Sequence, residues 1–278
     1  MKLSKEVKMI IAIEDDNWRI SDYVWEETKR IIPQPKDNHP LGCHKPRIDD
    51  RKIMDGILFV LRTGCQWQAL DSTKICKHSV AHKRFQEWVK AGVFEELWRR
   101  GLLMYDETKG INWKWLSIDG AMTKSPLGGD LTGPNPTDRA KKRAKRSLLT
   151  EASGIPLAIE ISGANKNDFK LVGQTFENIQ VNKPSGKKSN VCMDKGYDFD
   201  EVREIVEEFG FTANIKSRGV EAKELKKSAK KKARRWVVER THSWLNRFRG
   251  LLIRWCKKAE NYLAMLHLAC GLITWRAC

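Results

Sequence analysis

Apolar residues recur at helical spacing in the first part of the chain. Ile53, Ile57 and Leu61 follow the adjacent acidic residues Asp49 and Asp50, which suit a helix N-cap. This pattern predicts a helix that begins near residue 50 and ends at Gly64. Similar patterns predict a second helix over residues 79–91 and a third helix after Gly92. Three short helices broken by glycines suit a helix-turn-helix-like module, although the pattern also fits a helical bundle that makes no DNA contact.

From residue 111 the pattern changes to short strands that alternate with helices. Strands are predicted over 114–119, 190–194 and 211–215, and a hairpin is predicted around Ser153-Gly154. Helices are predicted over 168–179, 198–209, 233–249 and 261–275, and the last of these is largely apolar. A hairpin followed by alternating strands and helices indicates a mixed α/β domain.

Composition narrows the class of partner. The 278 residues carry 52 Lys and Arg against 35 Asp and Glu, a formal net charge of +17. Such a charge favours a polyanionic partner, either nucleic acid or an anionic membrane surface. No apolar run is long enough to span a bilayer, and the N-terminal residues do not resemble a signal peptide. Seven scattered cysteines favour reduced thiols, and we therefore expect a cytoplasmic protein.

Three acidic residues are candidates for a metal site. Asp119 and Asp194 end predicted strands, and Glu239 lies within a predicted helix. Carboxylates that meet at one edge of a sheet could hold two Mg²⁺ or Mn²⁺ ions for phosphodiester chemistry. From residue pattern alone, turn-forming aspartates and a solvated helical glutamate are favoured over a metal site.

Helical geometry places Glu239 on a polar face. At about 100° per residue, the side chains that fall near Glu239 are Arg235, His242, Ser243 and Asn246. Val237, Trp244 and Phe248 fall on the opposite, inward side. A polar face with cationic neighbours suits contact with a phosphate backbone.

Two basic runs, residues 139–146 and 223–235, are candidate DNA contacts. Their positions before the predicted hairpin and before the Glu239 helix favour backbone contact over a solvated face. Trp67 could stack on a base, but core packing is favoured. Cys65, Cys76, His78 and His82 include no CxxC pair, so ordinary thiols and surface histidines are favoured over structural zinc.

Longer segments of the chain carry a family resemblance. They are ILFVLRTGCQW at 57–67, RFQEW at 84–88, LGGDLTGPNPTDR at 127–139, KRS at 145–147, DKGY at 194–197 and RWVVERTHSWLNRFR at 235–249. In these segments the chain resembles the DDE transposases of bacterial insertion sequences, in particular the IS5 group of the IS4-like class. The resemblance covers most of the chain.

The resemblance implies a fold, a domain division and a catalytic triad. Residues 109–278 would form a ribonuclease H-like mixed-sheet catalytic domain, and residues 1–108 would form a smaller, all-helical domain that binds DNA. The family's two aspartates and glutamate match Asp119, Asp194 and Glu239. Arg235 matches the arginine four positions before the glutamate, whereas the wider class has Tyr and Lys where this chain has Lys232 and Asn246.

The function that the resemblance implies is transposition. The protein would bind the terminal inverted repeats of its element, cut DNA by two-metal-ion hydrolysis and join the freed 3′-OH ends to target DNA, as a homo-oligomer, expected to be a dimer. A nuclease without strand transfer and a DNA-binding repressor are the alternatives. The residues expected to contact DNA are Arg139, Lys141, Lys142, Arg143, Lys145, Arg146, Arg235, Arg240, His242, Arg247 and Arg249.

Overall fold

A computed structural model describes residues 18–34, 47–186, 188–215 and 236–278. The helices of the N-terminal part are α1 (Asp22–Lys29), α2 (Asp50–Thr63), α3 (Leu70–Thr73), α4 (His78–Lys90) and α5 (Val93–Thr108). Those that follow are α6 (Val172–Glu177), α7 (Asp200–Glu208), α8 (Trp236–Asn246) and α9 (Ala259–Ala277).

The predicted ends of α2 are confirmed in atomic detail. The Asp49 side chain accepts a hydrogen bond from the Arg51 N–H and so caps the first turn. Gly64 adopts a left-handed conformation with φ of 69°, which lets the chain turn away after Thr63. The buried Ile53, Ile57 and Leu61 lie on one face, as their spacing predicts.

Six strands form one mixed sheet. They are β1 (Trp115–Lys124), β2 (Gly133–Pro134), β3 (Lys142–Thr150), β4 (Pro156–Gly163), β5 (Asn190–Met193) and β6 (Thr212–Ile215). The main strands lie in the order β4-β3-β1-β5-β6. The pairs β3–β4 and β1–β3 are antiparallel, and β1–β5 and β5–β6 are parallel. Three antiparallel strands continued by two parallel ones, with the first strand in the centre, make the ribonuclease H-like arrangement, as expected.

Helices cover both faces of this sheet. Ser147 on β3 accepts a hydrogen bond from Thr175 of α6, whereas its neighbour Arg146 donates to Asn246 of α8. Successive side chains of a strand point to opposite faces, so α6 and α8 lie on opposite sides of the sheet. The interior strand β3 is therefore buried from Ala144 to its end.

The N-terminal helices share their core with the C-terminal helix. α5 packs along α9, where Trp275 Nε1 donates to the Leu97 carbonyl at 3.0 Å. Trp98 Nε1 donates to the carbonyl of Pro156 on β4 at 3.2 Å. Trp67 packs against Phe85, with ring centroids 5.3 Å apart. In the described part of the chain, no helix has the length and apolarity needed to cross a membrane.

Three predicted boundaries were wrong. β1 continues five residues beyond Asp119, to Lys124, so that Asp119 lies inside the strand. β3 begins at Lys142 and takes in part of the basic run. The predicted helix over 168–179 is a 3₁₀ turn, Asp168–Leu171, followed by the short α6. The second basic run, residues 223–235, which includes Arg235, lies outside the described residues.

Candidate active site

Asp119 and Asp194 lie side by side on adjacent strands. β1 and β5 run parallel, with Ser117 opposite Cys192. Two residues further along each strand come Asp119 and Asp194, so the same register brings these two aspartates next to one another. Asp194 directly follows β5, where its side chain accepts a hydrogen bond from the Gly196 N–H at 2.7 Å.

Glu239 reaches this point from α8, which packs on β1 and β3. Three residues after Glu239, the buried His242 places Nε2 at 3.4 Å from the main-chain oxygen of Asp119. Residues three apart lie on neighbouring positions of one helix face, so Glu239 projects near Asp119 while remaining exposed. The inward packing predicted for this side of the helix is confirmed for Val237 and Phe248, which are buried, whereas Trp244 is only half-buried.

The carboxylates act on one another electrostatically. Burial raises the pKa of Asp119 from 3.8 to about 6, and the negative charges of Asp194, Asp168 and Glu239 add to this rise. A hydrogen bond from the Gly120 N–H opposes the rise. Negative charge therefore accumulates around Asp119, although Lys145 pairs with Asp168 at 3.1 Å. Such a group of carboxylates suits a divalent cation.

The donor set fits Mg²⁺ or Mn²⁺. The candidate ligands are carboxylate oxygens, the type that hard divalent cations prefer. Within the described ranges, no three acidic, histidine or cysteine side chains are gathered closely enough to hold one ion together.

The raised pKa of Asp119 predicts a pH-dependent effect on stability. A carboxyl whose pKa rises from 3.8 to about 6 on folding destabilises the fold by up to about 3 kcal/mol above pH 6 and by almost nothing below pH 4. Asp119→Asn is therefore expected to raise the free energy of unfolding of the metal-free protein at pH 7.5 but not at pH 4. Chemical denaturation at both pH values measures this, with Asp198→Asn as control, and equal stabilisation at both pH values would contradict the assignment.

A buried cation lies beneath the exposed end of α8. Arg146 is buried on β3, and its Nη2 donates to Asn246 Oδ1 at 2.6 Å. Asn246 occupies the place where the wider class of resembling proteins has Lys. Arg146 on β3 thus brings a positive charge to the side chain of Asn246.

Several of the residues expected to contact DNA are not on the surface. Lys145, Arg146 and His242 are buried, so they do not present the exposed charge that contact with a DNA backbone needs. Burial and the charge of Arg146 lower the pKa of His242 to about 3, which leaves the imidazole neutral at pH 7.

Two further arginines are held by the protein itself. Arg143 pairs with Asp138 at 2.5 Å. Arg240 donates to the Ser153 carbonyl at 2.5 Å, and its guanidinium lies between the rings of Trp236 and Trp244. Both are therefore less available to DNA than the sequence suggested. The expected DNA contacts that are exposed are Arg139, Lys141, Lys142, Arg247 and Arg249.

Sequence reasoning missed Asp168 and Tyr197. Asp168 adds its charge to the environment of Asp119, and Tyr197 is buried beside the same carboxylates. The sequence signal for Asp168 was its position shortly after the second strand of the predicted hairpin. Asp194 was chosen for a similar reason, because it ends a predicted strand.

Comparisons with known proteins identify the family. Residues 20–98 match the profile described as "Putative transposase of IS4/5 family", and residues 191–276 match the profile "Transposase DDE domain". The putative transposase for insertion sequence element IS402 of Burkholderia cepacia is 38% identical over 154 residues, which cover 53% of this chain and 70% of that protein.

Two more distant similarities accompany these matches. The uncharacterized 16.2 kDa protein of insertion element IS402, also from Burkholderia cepacia, is 26% identical over 118 residues, covering 42% of this chain and 80% of that protein. The catalytic domain of the Mos1 mariner transposase superposes with a TM-score of only 0.29 at 12% identity, over 66% of this chain and 90% of that domain. The fold assignment therefore rests on the strand order of the sheet itself.

The profile matches lie on the N-terminal helices and on the segment that runs from β5 through α8 to α9. The match to the relative at 38% identity covers more than two thirds of that protein's length. The chain belongs to the DDE transposases of bacterial insertion sequences, within the IS4/5 family.

Proposed function

We propose that Asp119, Asp194 and Glu239 form the catalytic triad of this transposase. The observation that carries the proposal is the meeting of the three residues around one point of a ribonuclease H-like sheet: two from adjacent parallel strands and one from the helix packed over them. The charges of Asp194 and Glu239 both act on Asp119. Turn-forming or solvated acids have no reason to gather in this way, because like charges repel.

The triad would hold two Mg²⁺ or Mn²⁺ ions. When bound, such ions lower the pKa of an attacking water or hydroxyl and stabilise the leaving oxygen of a phosphodiester. The chain's own part is to orient the ligands. The pairing of β1 with β5 holds the two aspartates next to one another. The contact of His242 with the Asp119 main chain holds α8, which carries Glu239, against β1.

The reaction we propose has two stages. The protein binds the terminal inverted repeats of its element and cuts the DNA by hydrolysis, which frees 3′-OH ends. Each 3′-OH then attacks a target phosphodiester by transesterification, so that one phosphodiester forms as another breaks. Residues 1–108 would serve DNA binding and residues 109–278 catalysis, in a homodimer acting in the bacterial cytoplasm, although the two parts share one apolar core.

Arg247 is the exposed arginine with the best-supported DNA role. It lines a cavity of about 340 Å³ together with Arg62 and Arg276, and the other lining residues are apolar or aromatic. The three guanidinium groups come from α2, from α9 and from the residue that directly follows α8. With no acidic residue among the described lining residues, they suit a DNA phosphate.

An assay with a labelled terminal-repeat duplex and a target plasmid tests the proposal. A transposase gives labelled DNA joined to the plasmid, a nuclease gives only cut ends, and a repressor gives only a shifted band. Joined product that depends on Mg²⁺ is the expected result. Cut ends alone, or a shifted band alone, would contradict it.

The exposed lysines of the first basic run should contribute salt-dependent binding without sequence preference. Each real phosphate contact adds about 0.9 to the slope of log K against log salt, so Lys141→Ala combined with Lys142→Ala should lower that slope by up to about 2. Affinity for terminal-repeat and random duplexes should fall by similar factors.

The measurement is a salt series on both duplexes. Lys183→Ala combined with Lys188→Ala, which removes the same charge close to the start of β5, serves as the control. An unchanged slope would show that Lys141 and Lys142 are solvated. Loss of terminal-repeat binding alone would show that they read bases.

A further inference from the structure

A buried lysine lies on the face of β3 opposite α8. Lys145 is only 4% exposed. Its ammonium group donates to the Lys166 carbonyl at 2.6 Å and pairs with Asp168 Oδ1 at 3.1 Å. A buried ammonium needs such partners because its desolvation is costly. Lys145 therefore fixes the position of the Asp168 carboxylate, which is itself partly open to solvent.

Asp168 lies against the backbone that carries Asp119. A Cβ placed on Gly120, the next residue, would overlap Asp168 Oδ1. The 3₁₀ turn that begins at Asp168 also packs on the turn that follows Asp194. There Phe169 contacts Phe199, with ring centroids 4.5 Å apart. Asp168 thus touches the segments of both catalytic aspartates.

Tyr197 points a polar group into the same place. Its side chain is 2% exposed, and its hydroxyl has no hydrogen-bond partner among the described residues. Burial raises the pKa of Tyr197 well above its usual value, and the charges of Asp168, Asp119 and Asp194 raise it further. A buried hydroxyl without a protein partner, close to the charges of three carboxylates, suits a polar site that binds a ligand.

A structural role alone does not explain this arrangement. An ion pair that served only to join β3 to the turn at Asp168 would gain stability by lying away from other acids. Asp168 instead adds to the negative charge around Asp119. Like charges held close together lower the stability of the folded protein, and such groups of charges are typical of functional sites.

We propose that Asp168 is a fourth functional carboxylate of this active site, which serves the divalent cations together with Asp119 and Asp194 and is held in place by Lys145. The inference rests on the proposed function and adds a residue to it. The contact of Asp168 with Gly120 explains why the residue after Asp119 has no side chain. The pairing with Asp168 also accounts for the burial of the Lys145 ammonium group.

Mn²⁺ binding to the full-length protein without DNA tests the proposal directly. Asp168→Asn keeps the shape of the side chain and is expected to weaken Mn²⁺ binding at least about tenfold, as loss of a ligand or of its support does. Asp198→Asn is the matched control, because Asp198 also pairs with a basic residue, Arg203, and lies close to Asp194 in sequence. Thermal unfolding of each variant confirms that it is folded.

The outcomes separate this inference from the proposed function. If Asp119→Asn loses Mn²⁺ affinity and Asp168→Asn retains it, the role of Asp168 is refuted and the triad stands. If Asp119→Asn also retains Mn²⁺ affinity, the metal assignment of the triad fails. Equal losses in Asp168→Asn and Asp198→Asn would show a general charge effect and refute the specific role.

Gly120→Ala provides a second, independent test. Its Cβ would displace the Asp168 carboxylate, and we expect cleavage to fall about tenfold or more with Asp119 intact. In the double variant Gly120→Ala, Asp168→Ala the overlap is relieved, yet activity should stay as low as in Asp168→Ala. Recovery of wild-type activity in the double variant would show that Asp168 only fills space.

Discussion

Asp119→Asn, Asp194→Asn and Glu239→Gln are each expected to lower DNA cleavage and joining by roughly a thousandfold or more. Stabilisation of a phosphoryl transition state by bound cations is worth several kcal/mol, and each 1.36 kcal/mol is a factor of about ten in rate. Each substitution keeps the volume of the side chain and removes a negative ligand. Binding to a terminal-repeat duplex should stay within about threefold of wild type, because the triad is not expected to read bases.

The controls are acids of the same types outside the triad. Asp198→Asn removes a carboxylate that pairs with Arg203, and Glu260→Gln removes one that lies near Lys258 at the start of α9. Both should cleave and join as wild type does. A triad variant that still gives joined product would remove that residue from the catalytic site.

Removal of divalent metal is expected to abolish cleavage and joining while DNA binding remains. EDTA should stop the reaction, and Mg²⁺ or Mn²⁺ should restore it, because the candidate ligands are hard carboxylate oxygens. Ca²⁺ should support binding with little cleavage. Since the pKa of Asp119 without metal is about 6, protons compete with the cation below that pH, and the Mg²⁺ concentration needed for half-maximal rate should rise from pH 7 to pH 5.5.

Two results would contradict this account of the metal. Cleavage that persists in EDTA would exclude a metal-dependent triad. Stoichiometric zinc in the purified protein, whose removal unfolds the N-terminal helices, would show that the cluster of Cys65, Cys76, His78 and His82 is a structural site after all.

Local patterns predicted much of this fold because they act over short distances. The N-cap at Asp49 and the left-handed Gly64 define α2 from its own sequence. The strand that ends before Asp194 and the hairpin around Ser153-Gly154 were predicted in the same way. The strand order was expected only from the resemblance, because periodicity does not say which strands pair.

The errors on β1 and β3 have one physical cause, which is that the length and burial of an interior strand depend on the whole fold. Gly120 interrupts the alternation of β1, so the strand seemed to end at Asp119, yet pairing with β3 carries it on to Lys124. Lys145 and Arg146 belong to a charge run that would normally be solvated. They are buried because helices cover both faces of β3, and each finds its partner far away in sequence, Asp168 and Asn246 respectively.

The most direct test of the central claim uses a DNA end that has already been cut. A terminal-repeat duplex with a free 3′-OH and an otherwise identical duplex with a 3′-deoxy end are each incubated with the protein, Mg²⁺ and a target plasmid. We predict joined product from the 3′-OH duplex alone, with none from Glu239→Gln on either substrate. Equal joining of both ends, or cleavage of the uncut repeat with no joining of the 3′-OH end, would contradict strand transfer by this triad.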